Sequence, residues 1–463
     1  MKRQILFILG GCALLSSCGI YGSYERPAEI NEIEGLYRDT ASMTNVLAVG
    51  DTANFGNLPW REVFTEPQLQ TLIEKALVAN ADVKKAEINV KKMQAGLKVS
   101  KLAYLPSLAF TPDGKVASFD HHKASQTYTL PLAASWDLGA MGSKRNQLQQ
   151  SKVNLAMTKA AEQATKNAII AGVANLYYTL EMLDEQLHTT NSTIVLWKKN
   201  VEAMEAMLEA GMTNAAAVAQ TKANYYELLA SVPQLESSIR QAENTLCVLL
   251  AEAPHAVARG EFSENPLNLD MSVGLPMHLL SNRPDVQIAE YNLASNFYKL
   301  NIARSAFYPS LKLSGVAGWT NSAGAAVINP AKFIATAIAN LTQPIFANGK
   351  LMANLKISKL DVEAAELDFR QSLLQAGQEV SDALDKYQSA KEQQVLREMK
   401  VAELTEAVEK TQLLFQYGNR TSYLETLTAQ QSLLSGQLAL INDKFSKVQS
   451  AISLYQALGG GRN

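Results

Sequence analysis

One stretch of this chain occurs twice, 203 residues apart, and that duplication limits the possible architectures more than any other feature. In residues 283–313, RPDVQIAEYNLASNFYKLNIARSAFYPSLKL, Asp285-Val286 falls on Asp82-Val83, Ala289-Glu290 on Ala86-Glu87, Asn292 on Asn89 and Pro309-Ser310-Leu311 on Pro106-Ser107-Leu108, without a gap. Periods of about 20–50 residues build solenoids; a period near 200 in a chain of 463 residues gives two domain-sized halves on one plan. Farther on the offset is 207, carrying Gly142 to Gly349 and Gly211 to Gly418.

The plan begins with a helix. From Pro67 to Tyr104, Leu69, Leu72, Ile73, Ala76, Leu77 and Asn80 keep helical spacing behind a proline suited to the first turn. The helix stops at Leu105-Pro106, because a residue before proline is pushed out of the α region. Between Thr127 and Leu138 an apolar set (Tyr128, Leu130, Leu132, Ala134, Trp136, Leu138) alternates with small or polar residues, which predicts a strand. Gly142 to Ala210 holds no proline and one interior glycine, Gly172, so it predicts a helix of roughly 100 Å, far longer than globular helices. Gly211 turns the chain into a returning helix, Asn214–Ala251, with an interruption expected at Pro233. The second half repeats the order, with a helix over Arg283–Phe307, strands over Pro309–Thr320 and Phe333–Ile345, a long helix over Gly349–Tyr417, a turn at Gly418 and a return over Thr421–Leu458.

The ends restrict where such a chain can work. Lys2 and Arg3, the apolar run Ile5–Leu15 and Leu15-Ser16-Ser17-Cys18 read as a signal segment over residues 1–17, cut before a cysteine that would carry lipid. Residues 18–58, with few regular patterns, read as a lipidated arm, followed by repeats over 59–260 and 261–463. Loss of Lys2 and Arg3 leaves 42 − 2 = 40 basic against 44 acidic side chains, a net charge of −4 that does not attract nucleic acid. No later stretch of 18 apolar residues remains, so a membrane crossing has to be made of strands in a closed barrel. Two strands per half are too few, since single-chain barrels start at about eight, and the chain is expected to oligomerise.

At this point the residues resemble a family, the TolC-like outer-membrane efflux proteins, in their lipoprotein branch. The runs that carry the resemblance are Arg283-Pro284-Asp285-Val286 with Ala289-Glu290, Ala303-Arg304 to Phe307-Tyr308-Pro309-Ser310, Leu341-Thr342-Gln343-Pro344-Ile345-Phe346 before Gly349, Tyr417-Gly418 before Tyr423-Leu424, and Ala457-Leu458-Gly459-Gly460-Gly461. Tyr24-Glu25-Arg26-Pro27, Trp60-Arg61 and Pro67-Gln68-Leu69 resemble the family's entry segment. The resemblance implies a mainly α fold with a β-barrel part, in which three chains close a twelve-stranded barrel in the outer membrane and twelve helices continue it as a hollow α-barrel through the periplasm. It implies a passive conduit that docks on a periplasmic adaptor and an inner-membrane transporter, which supply the energy.

The resemblance also assigns sites. Cys18 is the lipidation site. The hairpin tips Gly211-Met212-Thr213 and Gly418-Asn419-Arg420 would meet the adaptor, although glycine's ease in the left-handed region explains both glycines structurally as well. Glu425 and Thr428 occupy the positions where the family often sets two carboxylates facing the pore, so one of the two acidic rings is neutral here. His121 and His122, between the first strands, read as a solvated loop, and Cys247, in an apolar run, as a small core residue. No phosphate-loop, metalloprotease or Ser/His/Asp pattern occurs, so neither cofactor nor catalytic residue is expected. Two other readings stay open: a duct for protein secretion, which shares this fold, and a periplasmic coiled-coil lipoprotein, which would have no use for the strand segments.

Overall fold

The computed structural model describes residues 21–27, 58–118, 120, 124–140, 142–262, 283–321, 332–417 and 423–461. Among them the elements run α1 (Trp60–Val63), α2 (Pro67–Ala79), α3 (Ala81–Leu102), β1 (Ser107–Phe110), β2 (Asp113–Ala117), β3 (Ser125–Ala140), α4 (Ser143–Glu209), α5 (Ala215–Leu249), α6 (Pro284–Ser305), β4 (Ser310–Thr320), β5 (Lys332–Thr342), α7 (Lys350–Tyr417) and α8 (Tyr423–Ala457). The chain gathers into two compact units, one from the described parts of 1–33, 89–159 and 288–371, the other from those of 34–88, 160–287 and 372–463. Each unit therefore draws on both halves of the duplication.

The first unit holds one antiparallel sheet in the order β1-β3-β4-β5, with β2 also on β3. β1 and β2 fill a single position in it: Phe110 pairs with Leu132 and Asp113 with Thr129, so one strand position is split at Thr111-Pro112. The split lies opposite Pro131, whose carbonyl accepts from Thr111 N at 3.2 Å, and prolines on both strands remove ladder donors there. On the other side of Pro131 stands Gly318, where an added Cβ would meet Leu130 O at 2.2 Å; the close backbone approach requires glycine. β5 ends at Thr342, earlier than the predicted Ile345, because Pro344 has no backbone N–H to give to a ladder.

In the second unit the predicted helix Pro67–Tyr104 is broken at Asn80, whose backbone (φ −56°, ψ 135°) leaves the α region. Asn80 Oδ1 then accepts from Asp82 N (2.8 Å) and Val83 N (3.3 Å), capping α3, while its Nδ2 donates to Leu249 O at 3.0 Å. The residue 203 positions on, Arg283, does the same for the second half: its Nη1 donates to Ala457 O at 2.8 Å. Each half thus fastens the start of a repeat helix to the end of its own returning helix. Both returning helices stop alike, with Glu252 N on Cys247 O and Gly460 N on Tyr455 O, each at 2.9 Å, around left-handed residues Ala251 (φ 57°) and Gly459 (φ 80°). Contrary to expectation α5 runs through Pro233 unbroken, held at one end by Asn214 Oδ1 accepting from Ala217 N (2.9 Å) and at the other by buried Leu246, Cys247 and Leu250. Trp60, Phe64, Leu69, Ile73, Tyr177 and Tyr455 fill the core of this unit, with Phe64 edge-on to Tyr455 at 5.9 Å. Cys247 is buried as expected, its Sγ 3.4 Å from His255 Nδ1.

Candidate functional site

A sheet that is apolar and exposed on one face has to find something other than water to cover it. Strand register puts Leu132, Ala134 and Trp136 of β3 beside Ala317, Gly315 and Leu313 of β4, and these beside Ala335, Ala337 and Ala339 of β5. Leu108 and Phe110 of β1 join the same face, as do Trp319 and Phe333, whose rings meet edge-on at 5.9 Å. These side chains are open: Phe333 is 65% and Leu341 71% exposed. The other face carries Thr129, Ser135, Asp137, Lys312, Ser314, Thr336, Asn340 and Thr342, interrupted by apolar Pro131, Ala133, Val316, Ile334 and Ile338. An apolar outer and a polar inner face, alternating residue by residue, are the chemistry of a strand wall between lipid and water. No described helix is long and apolar enough to cross a membrane.

The described part of the N-terminal arm, residues 21–27, lies on the same unit as a strap. Arg26 pairs with Glu290 and stacks over the Phe369 ring at 5.5 Å, and Tyr24 meets Phe297 edge-on at 5.9 Å. A Cβ at Gly142 would lie 2.5 Å from the Tyr21 ring, and Gly142 has φ +76°, so the turn into α4 and the seat of the strap both depend on that glycine. Cys18, which would anchor the strap to lipid, lies outside the described residues, as do His121 and His122.

At the hairpin between α4 and α5, Met212 N donates to Met207 O (2.8 Å) and Gly211 N to Leu208 O (3.0 Å) around a left-handed Gly211 (φ +70°). This pair of bonds satisfies the last carbonyls of α4 and leaves Met212 72% exposed, with Thr213 half-buried. The second tip, Gly418-Asn419-Arg420, lies outside the described residues. Beyond it, Glu425 and Thr428 are both exposed and three residues apart on α8, between buried Thr426, Leu427 and Gln430; Thr428 Oγ1 donates to Leu424 O at 2.8 Å.

Polar bridges between α8 and the neighbouring helices had no signal in the sequence. Asn200 Nδ2 donates to Gln430 Oε1 (2.5 Å), Gln186 Nε2 to Asn442 Oδ1 (3.0 Å) and Arg397 Nε to Asp443 Oδ2 (2.8 Å). A cavity of about 310 Å³ between α4, α7 and α8 is lined by His188, Trp197, Gln412, Gln430 and Gln437 among others. Among the described residues no cluster of three or more His, Cys, Asp or Glu side chains has the arrangement of a metal site.

Comparison with known proteins agrees with this geometry. The profile of the family described as Outer membrane efflux protein matches residues 72–252 and 275–460. The cation efflux system protein CusC of Escherichia coli K12 is 27% identical over 452 residues, covering 96% of this chain and 97% of CusC. The probable outer membrane lipoprotein SilC of Salmonella typhimurium is 26% identical over 471 residues, covering 100% of this chain and 98% of its own. A crystal structure of CusC superposes with a TM-score of 0.84 at 25% identity, covering 96% of this chain and all of that one.

Proposed function

We propose, from the premise that this chain belongs to the outer membrane efflux protein family and is the outer-membrane channel of an efflux system, that three copies close one barrel and form a passive exit duct for small molecules. The observation that carries the reading is the sheet: among the described residues β1, β2 and β5 each pair on one side only, and the exposed face is apolar. An edge of unpaired backbone inside lipid is prohibitively costly, so β5 of one copy has to meet β1 and β2 of the next. In this reading Cys18 carries the lipid that holds the strap at the outer membrane, the tips around Gly211 and Gly418 meet a periplasmic adaptor, and an inner-membrane transporter supplies the energy. The test is particle mass in detergent together with conductance in planar bilayers. One elongated trimer per pore is expected; a monodisperse monomer giving single-chain pores refutes the reading.

The gate follows from the same arrangement. Three copies of Glu425 would form one acidic ring beside a neutral ring of Thr428, so the cation preference of the pore rests on Glu425. Glu425→Gln is expected to move the single-channel reversal potential in a salt gradient toward zero and to weaken block by trivalent cations, whereas Thr428→Val, which removes no charge, leaves both close to wild type. An unchanged reversal potential in Glu425→Gln places the gate elsewhere.

A further inference from the structure

We propose that Glu66 and Glu181 share one proton, and that this proton latches the segment before α2 onto α4. The inference is independent of how many copies form the pore. Glu181 is 1% exposed, and neither of its carboxyl oxygens makes a hydrogen bond; Glu66 Oε1 is equally out of solvent and equally unpartnered, as is the Tyr178 hydroxyl. Such groups are rare in folded proteins, because an orphaned buried carboxylate costs several kcal/mol. A proton held between two carboxyl groups turns one of them into a donor and removes the charge that burial penalises.

The neighbouring donor and cation are largely engaged elsewhere. On α4, the Tyr177 hydroxyl donates to Gln68 Oε1 at 3.2 Å and accepts from Gly260 N at 3.0 Å. Gly260 packs so closely that a Cβ there would lie 3.3 Å from Glu181 Oε1. Arg259, the neighbouring cation, is already committed: it binds both carboxyl oxygens of Asp184, Glu243 Oε1 of α5 at 2.6 Å and Val257 O at 2.9 Å. One guanidinium shared by two carboxylates leaves a net negative charge, and Asp184 stands one turn from Glu181 on α4. Burial first, and the facing Glu66 next, push the Glu181 carboxyl up to about 8 from its ordinary 4.5, with the Tyr177 hydroxyl opposing.

The segment that the pair fastens is short and deeply packed. Trp60, Val63 and Phe64 are fully buried, Leu58 O accepts from the Tyr455 hydroxyl at 2.8 Å, and Glu66 opens α2 without a side-chain cap. Between pH 4.5 and about 8 the folded state holds one proton that the unfolded state releases. The latch therefore contributes fully below pH 4.5, weakens as pH rises and is lost above about 8, where the buried Glu181 is charged beside Glu66.

Hydrogen exchange on the full-length protein in detergent tests this, read at the amides of residues 58–68 from pH 6 to 8.5 and corrected for intrinsic rates. Wild-type protection is expected to fall about tenfold per pH unit between 6 and 8. In Glu181→Gln, whose amide supplies a donor without a proton, and in Glu66→Gln the profile is expected to be flat. Equal slopes in wild type and both variants overturn the proposal, as does protection restored in wild type at pH 8.5 by millimolar calcium or magnesium, which would mean that a cation occupies the pair. If neither variant folds, the wild-type slope decides alone: flat protection overturns it.

Discussion

Arginine at Ala337 is expected to prevent recovery of the chain as a folded outer-membrane channel, while arginine at the adjacent Thr336 is tolerated. Ala337 lies midway along β5, opposite Gly315, which in turn faces Ala134 of β3, so all three share the apolar exposed face. A guanidinium on the lipid side at mid-depth costs roughly 2–4 kcal/mol, against about 0–1 near the interfaces. In the proposed trimer that penalty enters three times, which is comparable with the whole stability of a typical domain. Thr336 lies across from Val316 on the opposite face, between Ile334 and Ile338, and that face, which also carries Ser314, Lys312 and Asn340, is the one the trimer turns to water, where an added charge stays hydrated. The measurement is the fraction of each variant that resists urea extraction from an outer-membrane fraction. If Thr336→Arg proves the worse of the two, the faces of the sheet have been assigned the wrong way round.

That contrast rests on which face of the sheet each residue takes, and the alternation of faces was the most legible part of the strands. Alternation from Tyr128 to Leu138 is a period of two with one apolar set, and a period of two leaves only two faces to choose between. The long helices were legible for a negative reason: nothing from 143 to 210 or from 350 to 417 breaks them. The misses share a physical cause, which is that the deciding partner lies far away in sequence. Asn80 is tolerable within a helix; it becomes a break because Leu249 O, 169 residues on, draws its amide away. Pro233 is a helix breaker by local rules, yet packing on both flanks carries α5 through it. The split of β1 from β2 follows from Pro112 and Pro131 falling one register position apart on neighbouring strands, and neither proline alone announces it. The burial of Glu181, with Gly260 packed against its carboxyl, leaves no mark on the local pattern of a long helix. Glu425 and Thr428 are both exposed, and the proposal that they face a pore comes from the family resemblance and from no local signal.

The duplication itself supplies the last prediction, because Asn80 and Arg283 occupy equivalent positions with unequal chemistry. Arg283→Met is expected to destabilise the helical unit by roughly 2–4 kcal/mol, as the loss of a buried, multiply bonded charge does. The Arg283 side chain is 7% exposed and binds Ala457 O (2.8 Å), Asp285 Oδ2 (2.7 Å) and Glu379 Oε2 (2.5 Å). Its loss strands the Ala457 carbonyl, while the half-exposed Asp285 and Glu379 carboxylates turn to water, which keeps the effect below that of a fully buried triad. Asn80→Ala removes a cap and one bond to Leu249 O, a change of about 1–2 kcal/mol. The pH dependence separates the two. Burial pulls the Asp285 carboxyl upward, but its hydrogen bonds and charge contact with Arg283 prevail and hold it below its ordinary 3.8. That contribution is present above the ordinary value and disappears as pH falls through the lowered one, so the gap between wild type and Arg283→Met should narrow in acid. Asn80 does not titrate, and its gap should stay constant. Thermal unfolding of the helical unit, followed by circular dichroism between pH 7 and pH 3, measures both; an Arg283→Met variant that unfolds with wild type at pH 7 means that the second half does not depend on the fastening that the first half uses.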